Sequence, residues 1–247
     1  MPKFIIIICL LFLRFTFETP FTEAVENDNL FEVQKILNED PSIVDQFRDE
    51  FQRSTALMEA SYNNQIEMVK ILIAAKAQVN LQDELGFSAL MLASYRNRPE
   101  IVQILINARA LIDQTENNGT TALMMASGFT HTEVVRMLLR NRAKVDLKNV
   151  DGMTALNFSV FPSDKPVTDS NSETVELLVF HGADVSNVSE KKLVKMAISK
   201  KSEIFNFFDF LDFASNLPGN LVPFDVVNQI VRADFVKNLY FKPTVKP

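Results

Sequence analysis

Apolar and small residues recur along the middle of this chain in an arrangement that changes character at fixed intervals. In residues 119–146, "GTTALMMASGFTHTEVVRMLLRNRAKVD", Ala122, Leu123 and Ala126 fall on one helical face. After a break at residues 128–130, Val134, Val135, Leu138 and Leu139 recur at helical spacing. The pattern predicts two short helices, the first rich in small residues that let neighbouring backbones approach. An extended stretch follows, "AKVDLKNVDG", whose terminal Asp151-Gly152 reads as a tight turn. Glu133 in the first turn of the second helix, with Arg140 and Arg142 near its end, complements the helix dipole.

The same statement has been made twice before, in residues 53–80, "RSTALMEASYNNQIEMVKILIAAKAQVN", and 86–113, "GFSALMLASYRNRPEIVQILINARALID". Thr55, Ser88, Thr121 and Thr154 step by 33, as do Ala60, Ala93, Ala126 and Ser159. Val69, Val102 and Val135 keep the step, and so do Ala77, Ala110 and Ala143. A fixed period of this size marks a solenoid, in which each unit buries its apolar face only by stacking on its neighbours. "EAVENDNLFEVQKIL", residues 23–37, places Ala24 and Val33 nine apart, as Ala60 and Val69 are, and reads as a polar N-terminal capping unit.

A fourth unit begins on schedule at Asp151-Gly152, but Glu133 to Glu173 is 40 residues, seven more than the period. The extra residues predict a surface loop, "PSDKPVTDSN" at 162–171, with Ser170 and Glu173 as a capping box restarting the helix. A degenerate unit from Leu193 would close the stack, giving four clear units and two capping ones.

With helix, helix and turn in 33 residues, "G-x-T-A-L" and "E-V-V-x-x-L-L", the chain resembles the ankyrin repeat family over about residues 21–205. The resemblance implies an all-α solenoid of helix-turn-helix units with β-turn fingers, and a protein that binds other proteins. Departures from the family pattern are informative. Met58, Met91 and Met124 stand where the family has a histidine that bonds between units, so stacking here leans on packing. The family's glycine after the second helix is Lys76, Arg109 and Arg142, and only Gly182 survives. A non-glycine residue held left-handed costs roughly 1 kcal/mol. A cation at a helix C-terminus returns ~0.3–1 kcal/mol. Those three residues would form a basic edge, either a dipole-complementing surface or a dock for an acidic partner. His131 falls at a second family histidine position, in "THTEVV", and reads as a structural first-turn residue.

Ankyrin-like stacks bind proteins in a concave groove made by the fingers and first helices. The positions free to vary there lie three or four before each hydroxyl residue, just before it, and seven or eight after it. In this sequence those offsets carry Phe51, Tyr62, Leu85, Phe87, Tyr95, Phe129, Val150, Met153 and Phe161, an apolar strip, together with Arg96 and Asn118. Interface centres favour Tyr, Phe, Met and Arg. The competing reading is that some of these aromatics, in a chain with 21 Phe, simply pack between fingers.

Composition narrows the function classes. The chain is 47% hydrophobic and 23% charged, with a net charge of −6. No basic stripe with interleaved aromatics supports nucleic-acid binding. Cys9 is the one cysteine, which leaves neither an internal disulfide nor a Cys-based zinc site. Phosphate-loop, dinucleotide, zinc-protease and nucleophile-elbow motifs are absent. Two His and one Cys offer few groups for acid–base or nucleophilic work. The expectation is a monomeric, non-enzymatic binding protein without metal, cofactor or small-molecule substrate.

The ends differ from the middle, and three segments are expected: 1–20, the repeats at 21–205, and 206–247. "FIIIICLLFL", residues 4–13 after Lys3, would rise about 15 Å as a helix, half of a ~30 Å hydrocarbon core. Its length fits the apolar region of a signal peptide, though no small-x-small cleavage site follows closely. It is read either as a signal or short anchor, or as a segment packed on the end of the domain or a product of a mistaken start site. In the exported version three sequons, at Asn118, Asn157 and Asn187, become glycosylation candidates for a protein meeting lumenal, extracellular or host partners. Beyond Asn206 the period is lost, and Val226, Val227, Ile230 and Val231 return at helical spacing. A helical extension covering the end of the stack is the expected role. Leu217-Pro218 loosely resembles the box by which ankyrin adaptors join a ubiquitin ligase, which is the alternative.

Overall fold

A computed structural model describes residues 19–46, 53–160 and 169–184. The expectations for residues 4–13, the unit from Leu193 and the segment 206–247 lie outside them. Ten α-helices follow one another in this part of the chain, and no β-strand occurs among the described residues. They are α1 (Pro20–Glu26), α2 (Leu30–Glu39), α3 (Ala56–Asn63), α4 (Ile66–Ala74) and α5 (Ala89–Tyr95). The rest are α6 (Pro99–Asn107), α7 (Ala122–Gly128), α8 (Thr132–Arg140), α9 (Ala155–Val160) and α10 (Asp169–Phe180). One 3-10 turn, Pro41–Asp45, follows α2.

The periodic hydroxyls are the start signals. Thr55, Ser88 and Thr121 sit at the N-caps of α3, α5 and α7, each accepting from the backbone N–H of Met58, Met91 or Met124. A side-chain oxygen there satisfies one of the orphan donors of the first turn. Thr154 plays the same part for α9, and Asn157 reciprocates, its Oδ1 accepting from the Thr154 amide at 2.9 Å. Met58 attempts this with its sulfur, which accepts from the Thr55 amide at 3.4 Å.

The stop signals are left-handed residues. Asn64, Asn97 and Thr130 have φ of 66°, 55° and 57° and turn the chain from first to second helix. Lys76, Arg109 and Arg142, at φ 72°, 67° and 68°, end the second helices in the strained conformation expected of them, and Gly182 at 94° does so without strain. The next residue then donates back into the helix. Ala77, Ala110, Ala143 and Ala183 bond the carbonyls of Leu72, Leu105, Leu138 and Leu178 at 2.9–3.0 Å. This satisfies a terminal carbonyl and buries the alanine, which is why a small residue recurs there.

First helices pack in one row (α1, α3, α5, α7, α9) and second helices in another (α2, α4, α6, α8, α10), each pair also packing within its unit. One continuous core runs between the rows, through Leu57, Met58, Leu72, Leu90, Met91, Leu105, Leu123, Met124 and Leu138. The three methionines are buried and fill the space between successive units, as their replacement of a polar residue suggested. At the N-terminal end of the described stack, α1 buries Phe21 and Val25.

Residues 162–168 of the expected loop lie outside the described residues, but the restart of the helix differs from expectation. α10 ends on schedule but starts at Asp169, so Ser170 and Asn171 are helical and Ser170 is not its cap. α10 has 12 residues where α4, α6 and α8 have nine. As a whole, α10 packs against α8 and α9. An ion pair from Arg136 to Glu173, at 2.6 Å, joins α8 to α10.

Candidate functional site

Between each second helix and the next first helix the chain makes a finger, at residues 82–87, 115–120 and 148–153. All three are built alike. A backbone bond of 3.0 Å closes each, from Asp83 to Phe87, Glu116 to Thr120 and Asn149 to Met153. The side chain of the first member then accepts two backbone N–H groups inside the turn. Asp83 takes those of Leu85 and Phe87, Glu116 those of Asn118 and Thr120, and Asn149 those of Asp151 and Met153. Gly86, Gly119 and Gly152, at φ 85°, 79° and 73°, supply the left-handed residue that each turn requires.

Adjacent fingers are tied together by backbone bonds. The Asn117 amide donates to the Leu85 carbonyl at 3.0 Å and the Val150 amide to Asn118 at 2.9 Å. The Gln82 amide group reaches the Thr115 carbonyl, and that of Asn117 reaches the carbonyl of Glu84. Nearer the second helices, Asn80, Asp113 and Asp146 accept from the amides of Leu111, Lys144 and Asp184 in the following unit. The fingers are therefore spaced by hydrogen bonds rather than by contacts of their tips.

Against this frame the apolar strip can be placed. Leu85 is 63% exposed, Val150 70%, Phe129 50% and Tyr95 38%, and these four are among the most exposed large apolar side chains. Phe31 and Leu111 are also exposed but lie on α2 and after α6, away from the fingers. Tyr62, Phe87 and Met153 are half-buried, and Phe87 packs against the core. Arg96 and Asn118 are exposed. Phe51 and Phe161 fall outside the described residues.

Leu85, Phe87, Tyr95, Asn118 and Phe129 converge on a pocket of about 350 Å³ between the first two fingers and the ends of α5, α7 and α9. Met125, Phe158 and Glu116 complete its wall, and the sequence pattern had not singled them out. Phe158 enters because Gly128 has no side chain: a Cβ there would lie 3.3 Å from its ring. Tyr95 and Phe129 meet edge to face at 4.8 Å and 86°. His131 stacks on Phe129 at 5.9 Å, and its Nε2 is 3.0 Å from the Tyr95 carbonyl.

Two titratable groups lie at or beside the pocket. Burial would raise the Glu116 carboxyl, but N–H donation from Asn118 and Thr120 outweighs it and holds the group below the usual carboxylate range. His131 is lowered by desolvation, against the pull of its bond to Tyr95, so the ring is neutral at pH 7. Among the described residues, no three His, Cys, Asp or Glu side chains converge as metal ligands would. No helix among them is long and apolar enough to cross a membrane.

Compared with models of known families, the chain matches ankyrin repeats in three copies, over residues 21–116 and 108–189, more than half its length. No curated protein matches it.

Proposed function

The chain belongs to the ankyrin repeat family, a family of protein–protein interaction modules, and on that premise we propose that it is a non-enzymatic binder holding a partner protein in its finger groove. The observation that carries this reading is the exposed apolar strip at Leu85, Tyr95, Phe129 and Val150. The finger turns close through Asp83, Glu116 and Asn149 and the stack through buried residues, so the main framework does not depend on these exposed side chains. Leaving them in water forgoes roughly 1 kcal/mol or more each that a covering partner would recover. A groove walled by rigid helix ends and hydrogen-bonded fingers is also pre-ordered, which lowers the entropic penalty of binding.

Tyr95→Ala with Phe129→Ala tests the assignment. Affinity capture by the full chain should lose its specific partner when both rings are removed, while Phe31→Ala with Leu111→Ala should retain it. Melting temperatures of all variants should stay close to that of the parent, since each side chain is at least a third exposed. Capture unchanged by the groove pair, or lost with the control pair, would move the binding site elsewhere on the stack.

A further inference from the structure

The repeats are internal copies, so residues 33 apart occupy equivalent places, and they can be compared with one another. Tyr62 and Tyr95 are equivalent, as are Arg96 and Phe129. At the first of these places the Arg96 guanidinium lies over the Tyr62 ring, 4.5 Å from its centroid. One step along, the residue in Arg96's place is Phe129, and Tyr95 meets a second ring instead of a cation. One step further, the tyrosine itself is missing: Gly128 stands there. The pocket opens between these two departures, walled by Phe87, Tyr95, Phe129 and Phe158.

Its charge has one sign. Glu116 is the one charged residue on the pocket wall, and its buried carboxylate stays ionised. The neighbouring finger residues are Asp83, Glu84 and Asp151, against the single Lys148. His131 stacks on Phe129 but does not line the pocket, and burial lowers its tendency to take a proton. Rings with negative faces, a fixed carboxylate and no internal cation form a site for a positive group. Leu85 and Met125 add the apolar wall that a long cationic side chain needs for its stem.

We propose that the pocket of Tyr95, Phe129, Phe158 and Glu116 receives an arginine side chain of the partner protein, completing from outside the arrangement that Arg96 and Tyr62 complete from within. The proposal rests on the groove being the partner site and specifies the partner's anchor. Arginine fits better than lysine because its planar guanidinium stacks on a ring face and is weakly hydrated. An anion is repelled by Glu116, and a wholly apolar group would leave that carboxylate balanced only by the Asn118 and Thr120 N–H groups.

The test follows the Met125 methyl resonance of the full chain, assigned with Met125→Leu, while N-acetylarginine methylamide is added. N-acetylcitrulline methylamide, neutral and nearly isosteric, is the paired probe, and N-acetyllysine methylamide a third. Arginine should shift the resonance saturably and bind at least about tenfold more tightly than citrulline, with lysine between. Phe129→Arg, which copies Arg96 onto Tyr95, should abolish the arginine response while the protein remains folded. Equal response to citrulline would identify a neutral occupant and overturn the proposal. So would the absence of any response, or a response surviving in Phe129→Arg. A Met125 shift on protein dilution alone would assign the pocket to a second copy of the chain, equally against it. Partner capture by the parent, lost with Tyr95→Ala and Phe129→Ala, reads the groove independently, so the pocket proposal can fail while the groove stands.

Discussion

Three glycines at one position of the repeat offer an internally controlled measurement of what spaces the fingers. Gly86, Gly119 and Gly152 share a left-handed backbone, at φ 85°, 79° and 73°, but differ in what a Cβ would meet. At Gly86 it would lie 2.7 Å from the Asn117 nitrogen and 2.9 Å from the Glu116 Cα. At Gly119 the nearest atom is the Asn149 Cα at 3.1 Å, and at Gly152 nothing among the described residues lies within 4 Å. Gly152→Ala carries the backbone strain, roughly 1–2 kcal/mol, without a clash against any described residue. The lost entropy of the unfolded chain offsets about 0.4–1 of it, leaving near 1 kcal/mol. Gly86→Ala adds a clash with backbone that cannot rotate away. Overpacking of that kind adds about 1–3 kcal/mol, and stretching the Asn117–Leu85 bond contributes to it. The expected losses are therefore about 1, 1–2 and 2–4 kcal/mol for Gly152→Ala, Gly119→Ala and Gly86→Ala. Urea unfolding followed by far-ultraviolet circular dichroism measures them, with the m-value checking that cooperativity is retained. Three equal losses, or the largest at Gly152, would refute the argument that Gly86 and Gly119 are needed for the hydrogen-bonded approach of neighbouring fingers.

Other expectations are as direct. Leu105 is fully buried, so Leu105→Ala should destabilise by ~2–5 kcal/mol, while Leu111→Ala, at a side chain 57% exposed, should stay within about 0.5 kcal/mol in the same assay. Because His131 is lowered when folded, the unfolded chain binds the proton more readily, and stability should fall as pH drops below about 6.5. His131→Gln should flatten unfolding free energy between pH 7 and 5, whereas the loss from protonating Glu116 should persist at lower pH. Asn157→Ala removes a buried cap and should cost about 1 kcal/mol.

Much of the architecture was written locally. A hydroxyl at an N-cap, apolar residues at helical spacing and a left-handed stop are properties of a few consecutive residues, and a period of 33 repeats them. Hence the helices, their pairing and even the strained Lys76, Arg109 and Arg142 follow from the chain without its fold. Exposure of Leu85, Tyr95, Phe129 and Val150 was readable too, because periodic packing leaves those offsets unclaimed. What lies beside them was not. Phe158 finds room in the pocket wall beside Gly128, 30 residues earlier, and Glu116 is brought to that wall by the finger turn whose Asn118 and Thr120 N–H groups it accepts. Phe87 looked like its neighbours in the strip, yet it turns partly into the core. A sequence fixes what each unit of a solenoid can do alone, whereas a site between units depends on which side chains meet after stacking, and that is decided by contact and volume rather than by order along the chain.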